Sequence, residues 1–199
     1  MTAIWCIFRN FAAHAKELDN TIPPEPKFFM KPVSSIVQSN GDGEVDVKLL
    51  NYTDVIHHEL EMVISIDEYL KPSKVCIGID MTNRTVQTEA KAEGWPWLES
   101  KAFKESAVLG TWSDWVDEEY NLELFVNGKK MQSGSTSLML NPINKILESL
   151  NETYTLSTND LVFTGTPEGV GPLKKGDRVE AFLKNSNGKI VSKLLANIN

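Results

Sequence analysis

The sequence predicts a mixed, β-rich α+β fold with short helices at its edges. Three observations carry this. Short apolar runs rich in β-branched residues recur along the whole chain, at 4–8, 52–66, 75–79, 122–126, 161–163, 176–183 and 190–195. Segments with helical signatures are few and short. Turn residues punctuate the intervals, most clearly Asn127-Gly128 between 122–126 and 130–132, a strong hairpin signal.

At 199 residues the chain is long enough for a core of its own and is read as one domain over 1–199. Hydrophobic residues make up 41% and charged residues 24%, as in a soluble globular protein. The net charge of -7, with no basic cluster, excludes a nucleic-acid partner. No stretch approaches a membrane span, so no membrane partner is expected. Cys6 and Cys76 lie in apolar runs and read as buried thiols of a reducing compartment. The apolar start is too short for a signal peptide and lacks a basic leader, so the expected location is cytoplasmic.

In chain order, 4–8 is a strand, and Arg9-Asn10 leads into a helix over 11–18 made of good helix formers. His14 and Glu17 are three apart on that helix and share a face. A carboxylate beside an imidazole orients it and raises its basicity, as a general base requires; a surface ion pair is the plain alternative. The proline-rich stretch 21–26 must be a loop, so the helix at 11–19 reads as a mobile lid.

Glu59 and Glu61 alternate around Leu60 in the next strand region, so both carboxylates point to one face. Like charges on a half-buried face repel unless a cation lies between them. Asp80 ends the run 75–79. Three acids at the ends of neighbouring strands make a hard-oxygen site for Mg²⁺ or Ca²⁺, whereas a solvated strand face and a turn cap are the plain alternative. A helix follows over 82–93, with Thr82 or Asn83 as N-cap and Gly94 past its end. It places Arg84 and Gln87 behind Asp80, within reach of a ligand at the site. Residues 95–97 read as an aromatic loop packed on the core. Lys101 alone reads as a surface lysine, and 114–119 as an acidic surface segment. A helix is expected over 141–150, with Pro142 in its first turn. The Gly/Thr loop 164–172 offers backbone N–H groups and hydroxyls to an anion or carbonyl, but is no Walker loop.

Several of these stretches together resemble one family. Arg9-Asn10-Phe11-Ala12-Ala13-His14, Phe29-Met30-Lys31-Pro32, His57-His58-Glu59-Leu60-Glu61, Ile79-Asp80-Met81-Thr82-Asn83-Arg84, Gly94-Trp95-Pro96-Trp97, Lys101-Ala102-Phe103 and 163–171 run in the order of the fumarylacetoacetate hydrolase superfamily. The similarity is greatest to its small acylpyruvase and oxaloacetate decarboxylase-like members. The resemblance implies a β-roll with short peripheral helices, usually a homodimer. It implies Mg²⁺ or Mn²⁺ held by Glu59, Glu61 and Asp80, a His14–Glu17 dyad on the lid, and Lys101 as active-site lysine. It makes Gln87 and Thr166 substrate contacts, and Arg9 and Arg84 carboxylate contacts. The chain departs from the family pattern at Phe11, Ala13 and Thr85, which replace a tyrosine and two acids. Its connection from Glu61 to Asp80 is also short, so a peripheral helix is expected to be missing.

The function this implies is metal-dependent cleavage of a C–C bond in a 2-oxo acid, by acylpyruvate hydrolysis or oxaloacetate decarboxylation. The rival readings are a 2-oxo-alkenoate hydratase or isomerase of the same superfamily, and a catalytically silent metal-binding module.

Overall fold

The computed structural model describes residues 3–19, 21–49 and 53–199. The first half of the chain runs β1 (Ile4–Ile7), α1 (Ala12–Glu17), β2 (Phe28–Lys31), β3 (Ile36–Gln38), β4 (Glu44–Val47), β5 (Ile56–His58), β6 (Leu60–Ile66), β7 (Pro72–Asp80), β8 (Thr82–Asn83), α2 (Arg84–Glu93) and α3 (Leu98–Lys101). The second half adds β9 (Ala107–Leu109), β10 (Ser113–Asp114), β11 (Asn121–Val126), β12 (Lys129–Ser135), α4 (Ile143–Tyr154), β13 (Leu161–Phe163), β14 (Gly171–Leu173), β15 (Arg178–Lys184) and β16 (Ile190–Ile198).

The largest sheet has the order β2-β1-β13-β6-β7-β9-β3, with β10 also paired to β7. A second has the order β12-β11-β15-β16-β4, and a small third one β14-β5-β8. Pairing is mostly antiparallel, but β1–β13, β3–β9 and β4–β16 are parallel. This is the expected mixed β-roll with short helices around it.

Strand alternation positions the site. On β6, Leu60, Met62, Ile64 and Ile66 enter the main core. They meet Val75, Ile77 and Ile79 of β7 and Leu122, Leu124, Val179, Ala181 and Leu194 of the second sheet. The opposite face carries Val63 and Cys76, in a smaller cluster with Ile4, Cys6 and Phe163. Both faces are therefore dry, and Glu61 and Asp80 fall on the Val63 face by the period of two. Glu61 pairs across the ladder with Gly78. A Cβ at Gly78 would meet Val63 Cγ2 at 2.7 Å, so only glycine lets the sheet close behind the acid.

Several expectations are corrected. The strand region read as 52–66 is two strands broken at Glu59, and its start at Tyr52 lies outside the described residues. The helix read as 141–150 begins after Pro142, which is its N-cap, and runs on to Tyr154. Four α-helices, rather than two or three, stand among the described residues. Trp95 is 55% exposed and does not pack on the core; Trp97 packs on Phe8 instead. The end of the loop 164–172 forms β14. The short edge strands β3 and β4, and the short β9 between β7 and β3, carry no pattern strong enough to be read from sequence. The hairpin at Asn127-Gly128 forms as expected, with φ of 51° and 77° at its two turn residues.

Candidate active site

Nine of the ten expected site residues line one cleft: Arg9, His14, Glu59, Glu61, Asp80, Arg84, Gln87, Lys101 and Thr166. Glu17 stands behind His14. About 40 Å³ is open between these side chains, room for a few waters. A larger hollow of about 880 Å³, between α4 and the 69–72 loop, contains none of them. The residues singled out in the sequence therefore gather in the smaller cleft.

The acids come from two adjacent strand ends. Glu59 sits in the break between β5 and β6, Glu61 is the second residue of β6, and Asp80 is the last of β7. Their carboxylate oxygens lie within 4.8 Å of one another, and all three residues are buried. Glu59 accepts from Arg84 Nη2 at 2.5 Å and from Lys101 Nζ at 2.8 Å. Lys101 Nζ also donates to Asp80 Oδ2 at 2.7 Å and to Thr82 Oγ1 at 2.5 Å. Lys101 is thus no surface lysine: α3 turns it inward to bridge two of the acids.

A second lysine completes the set. Lys31, 1% exposed at the end of β2, holds its Nζ 2.7 Å from Asp80 Oδ1. That contact is electrostatic and not a directed hydrogen bond, because Oδ1 has no hydrogen-bond partner. Lys31 also donates to the carbonyls of Met81 and Lys101. Glu61, by contrast, accepts from the backbone N–H of Gly165 at 2.6 Å and makes no ion pair among the described residues.

The electrostatics follow from this placement. Burial raises the Glu59 carboxyl, but Lys101 and Arg84 outweigh it and hold the group well below the usual range. Burial lowers the Lys101 ammonium, but Asp80 and Glu59 outweigh it and net raise it. For Glu61, burial and then its neighbours Asp80 and Glu59 all act one way, and its carboxyl is pushed well above the usual range. A divalent cation fits here. The donors are hard carboxylate oxygens within 4.8 Å of one another, and Glu61 is an acid with no ion pair among the described residues.

His14 lies on α1 with Nδ1 3.4 Å from Glu17 Oε2. A carboxylate only accepts, so Nδ1 carries the proton and Nε2 is left as the basic atom. Burial lowers the imidazole, keeping it neutral near pH 7, while Glu59 and Glu17 partly oppose that. Glu17 Oε1 accepts from the N–H of Gly169 at 3.1 Å, which docks α1 against the 164–170 loop. Asn10, fully buried just before α1, bonds the carbonyls of Asn141 and Thr164. Thr166 receives a hydrogen bond from Gln132 Nε2 at 2.8 Å, and Gln132 Oε1 accepts from the N–H of Leu60 at 3.0 Å. Sequence reasoning singled out none of Lys31, Asn10 and Gln132 as site residues. Lys31 and Asn10 did stand inside the motif stretches, which was the available signal.

Gln87 and Arg84 bond each other at 2.8 Å on one face of α2. Asn83 caps that helix by accepting the Val86 N–H, and Gly94 ends it with φ 71°. Arg9 has φ 54°, an uncommon left-handed setting for a non-glycine residue, and its Nη1 donates to the Thr21 carbonyl at 2.8 Å.

The sequence profile described as fumarylacetoacetate (FAA) hydrolase C-terminal matches residues 3–194. The chain belongs to the fumarylacetoacetate hydrolase family. It is 40% identical over 196 residues to a mitochondrial oxaloacetate tautomerase of Schizosaccharomyces pombe, covering 89% of this chain and 86% of that one. It is 36% identical over 230 residues to a mitochondrial oxaloacetate tautomerase of Saccharomyces cerevisiae, covering 94% and 89%. A mitochondrial oxaloacetate decarboxylase of Dictyostelium discoideum is 37% identical over 191 residues, with 89% and 86% covered. Among solved structures, a putative fumarylacetoacetate isomerase/hydrolase from Oleispira antarctica superposes with TM-score 0.91 at 32% identity, covering 100% of this chain and 94% of that one. Fumarylpyruvate hydrolase from Pseudomonas aeruginosa, in complex with Mn²⁺ and pyruvate, gives 0.89 at 26% identity, covering 100% and 91%.

These relatives overturn the cytoplasmic location expected from the sequence, since the three curated proteins are all named as mitochondrial. Buried thiols separate reducing from oxidising surroundings, and do not separate one reducing compartment from another.

Proposed function

We propose that this protein is an enzyme of 2-oxo acids that works through the enol form, and that its reaction is the enol–keto interconversion of oxaloacetate. The observation that carries the reading is the convergence of three buried acids on one spot that a neutral histidine faces across the cleft. The relatives at 36% and 40% identity, named oxaloacetate tautomerases, support it.

Glu59, Glu61 and Asp80 would hold Mg²⁺ or Mn²⁺. When bound, that ion supplies Lewis-acid polarisation of the substrate's 2-oxo and carboxylate oxygens. The residues of the chain do the rest. His14 Nε2 moves the proton on and off C3 while the enol O–H proton is exchanged with water in the cleft, and Glu17 keeps the ring in the correct tautomer and stabilises its charged form. Lys101, anchored by Glu59 and Asp80, offsets negative charge developing on the 2-oxo oxygen. Arg84, Gln87 and Thr166 orient the carboxylate end, with Arg9 at the rim. The whole chain is taken as the catalytic unit, 11–19 as its lid, and a homodimer in mitochondria as its working state.

C–C cleavage is the second reading, favoured by the decarboxylase and fumarylpyruvate hydrolase relatives. The shorter enolate of pyruvate forms when oxaloacetate loses CO₂, or when the adduct of water, held by His14, on the distal carbonyl of an acylpyruvate breaks its C–C bond and releases a carboxylic acid. The test is to follow decay of enol oxaloacetate absorbance with Mg²⁺ and with chelator, alongside CO₂ release and acylpyruvate hydrolysis. Tautomerisation in excess of the other two is expected. His14→Asn should lower its kcat by roughly a hundredfold or more, while the Mg²⁺-induced rise in Tm stays unchanged. Wild-type kcat in that variant would remove His14 from the mechanism.

A further inference from the structure

Four side chains at the mouth of the cleft form a unit that neither the acids nor the dyad requires. Phe8 and Trp97 pack on each other with ring centroids 5.1 Å apart. The Arg9 guanidinium lies over Phe8 at 4.3 Å, and Lys91 Nζ lies over Trp97 at 5.1 Å. Two cations are thus backed by two aromatic rings in contact, and all four residues line the cleft.

Helix α2 connects this unit to the acids. Arg84, Gln87 and Lys91 fall at i, i+3 and i+7 and share one stripe. Arg84 is at the deep end, on Glu59 at 2.5 Å. Lys91 is about 10 Å further along the helix axis, toward solvent. Arg84 is matched by Glu59, whereas Lys91 makes no ion pair among the described residues. Burial first, and then the neighbouring charges of Arg9 and Arg84, hold the Lys91 ammonium below its usual range. Cations gathered in the lining of this cleft, on a chain with net charge -7, mark a seat for an anion.

We propose that Lys91, with Arg9 across the Phe8–Trp97 pair, receives the distal carboxylate of a substrate whose 2-oxo acid end lies at Glu59, Glu61 and Asp80, and that this seat selects 2-oxo dicarboxylates over 2-oxo monocarboxylates. This rests on the 2-oxo acid reading of the site. Lys91 is the adjustable partner of the two. Arg9 is pinned by its left-handed backbone and its bond to Thr21, while an ammonium on a flexible stem can follow carboxylates at different depths.

The test separates the seat from the reaction. Difluoro-oxaloacetate has no C3 proton to exchange, and its C4 methyl ester puts a neutral ester in place of the distal charge. Calorimetric titration of both into the Mg²⁺-loaded protein should show the diacid binding roughly tenfold tighter than the ester. In Lys91→Gln the two should bind alike, through weaker diacid binding alone, and Lys91→Arg should restore most of the preference. Lys91 is exposed, so these variants should fold as the parent does. An unchanged ratio in Lys91→Gln, an equal loss for both ligands, or binding of neither by the wild type would overturn the seat. If the ratio behaves as expected while oxaloacetate is not turned over, the seat stands and the reaction assigned above falls.

Discussion

The acids and the base that face each other across the cleft are held by very different amounts of structure. Glu59, Glu61 and Asp80 sit on the two central strands, β6 and β7, with apolar clusters on both faces. Lys31, Lys101, Arg84 and the Gly165 N–H fix their oxygens. His14 sits on the six-residue helix α1, which has no side-chain cap and no acid in its first turn. Its partner Glu17 is 3.4 Å away, and one backbone N–H ties that partner down. Short uncapped helices open easily, and strongly packed central strands do not. The contrast suits a site that keeps its charges fixed while the base is carried in with each substrate.

The largest effects should come from the acid end, and the acids should not behave alike. Asp80→Asn leaves two buried lysines short of a counter-charge. It should destabilise the metal-free protein by about 3–5 kcal/mol in urea denaturation. Glu61→Gln removes an acid whose charged form is already disfavoured, so the metal-free protein should be as stable as wild type or more so. Both variants should abolish the Mg²⁺-dependent rise in Tm and cost roughly a thousandfold or more in kcat. Equal destabilisation by the two would mean that Glu61 is as well matched as Asp80, contrary to its surroundings.

The acids were legible in the sequence because two periodicities act on few residues. The alternation of Glu59 and Glu61, and the apolar run into Asp80, survive the break at Glu59. That His14 and Glu17, and Arg84 and Gln87, share a helix face was legible from spacing, whereas a place for the dyad in one site with the acids came only from the family resemblance. Of the cations that neutralise the acids, Arg84 was legible by its spacing and Lys101 only through the family resemblance, and Lys31 was not legible as a site residue. Lysines are rarely buried, and nothing local distinguishes Lys31 at the end of β2 from a surface lysine. Burial of both lysines depends on strand pairing and on the turn at α3, which are long-range facts. The same holds for Gln132, whose role is fixed by a hairpin that returns to the site 72 residues after Leu60.

A middle-sized effect concerns pH. Burial, then Arg84, lowers the His57 imidazole from its usual 6.5 to about 4. His14 and His58 are lowered too, again chiefly by burial. A depressed folded value means that the unfolded chain takes up protons first. The stability these histidines contribute is complete above pH 6.5 and is lost as pH falls through their lowered values, for His57 toward about 4. Glu61 works in the opposite sense. Its raised folded value contributes stability that is present below the usual carboxylate range and lost as pH rises through that raised value. Denaturation across this range should therefore show an acid-side slope that His57→Asn reduces, and an alkaline-side slope that Mg²⁺ removes. A metal-free profile that rises steadily from acid to neutral pH, and is unchanged by Mg²⁺, would contradict the assignment of Glu61.

The smallest structural effect with a clear functional readout should come from Glu17→Gln. The substituted amide keeps an oxygen to accept from Gly169, so α1 stays docked and stability should change by no more than about 0.5 kcal/mol. What it loses is the negative charge facing His14 Nδ1. The ring can then flip or change tautomer, and its charged form is less stabilised, so kcat should fall roughly tenfold with KM little changed. Hydrogen exchange offers a second view of the same comparison. Amides of α1 should exchange far faster than those of β6 and β7 in the free protein, and Glu17→Gln should leave that gap as it is. A variant that undocks α1, seen as faster exchange of its amides, would show Glu17 to be a latch more than an orienter of the base.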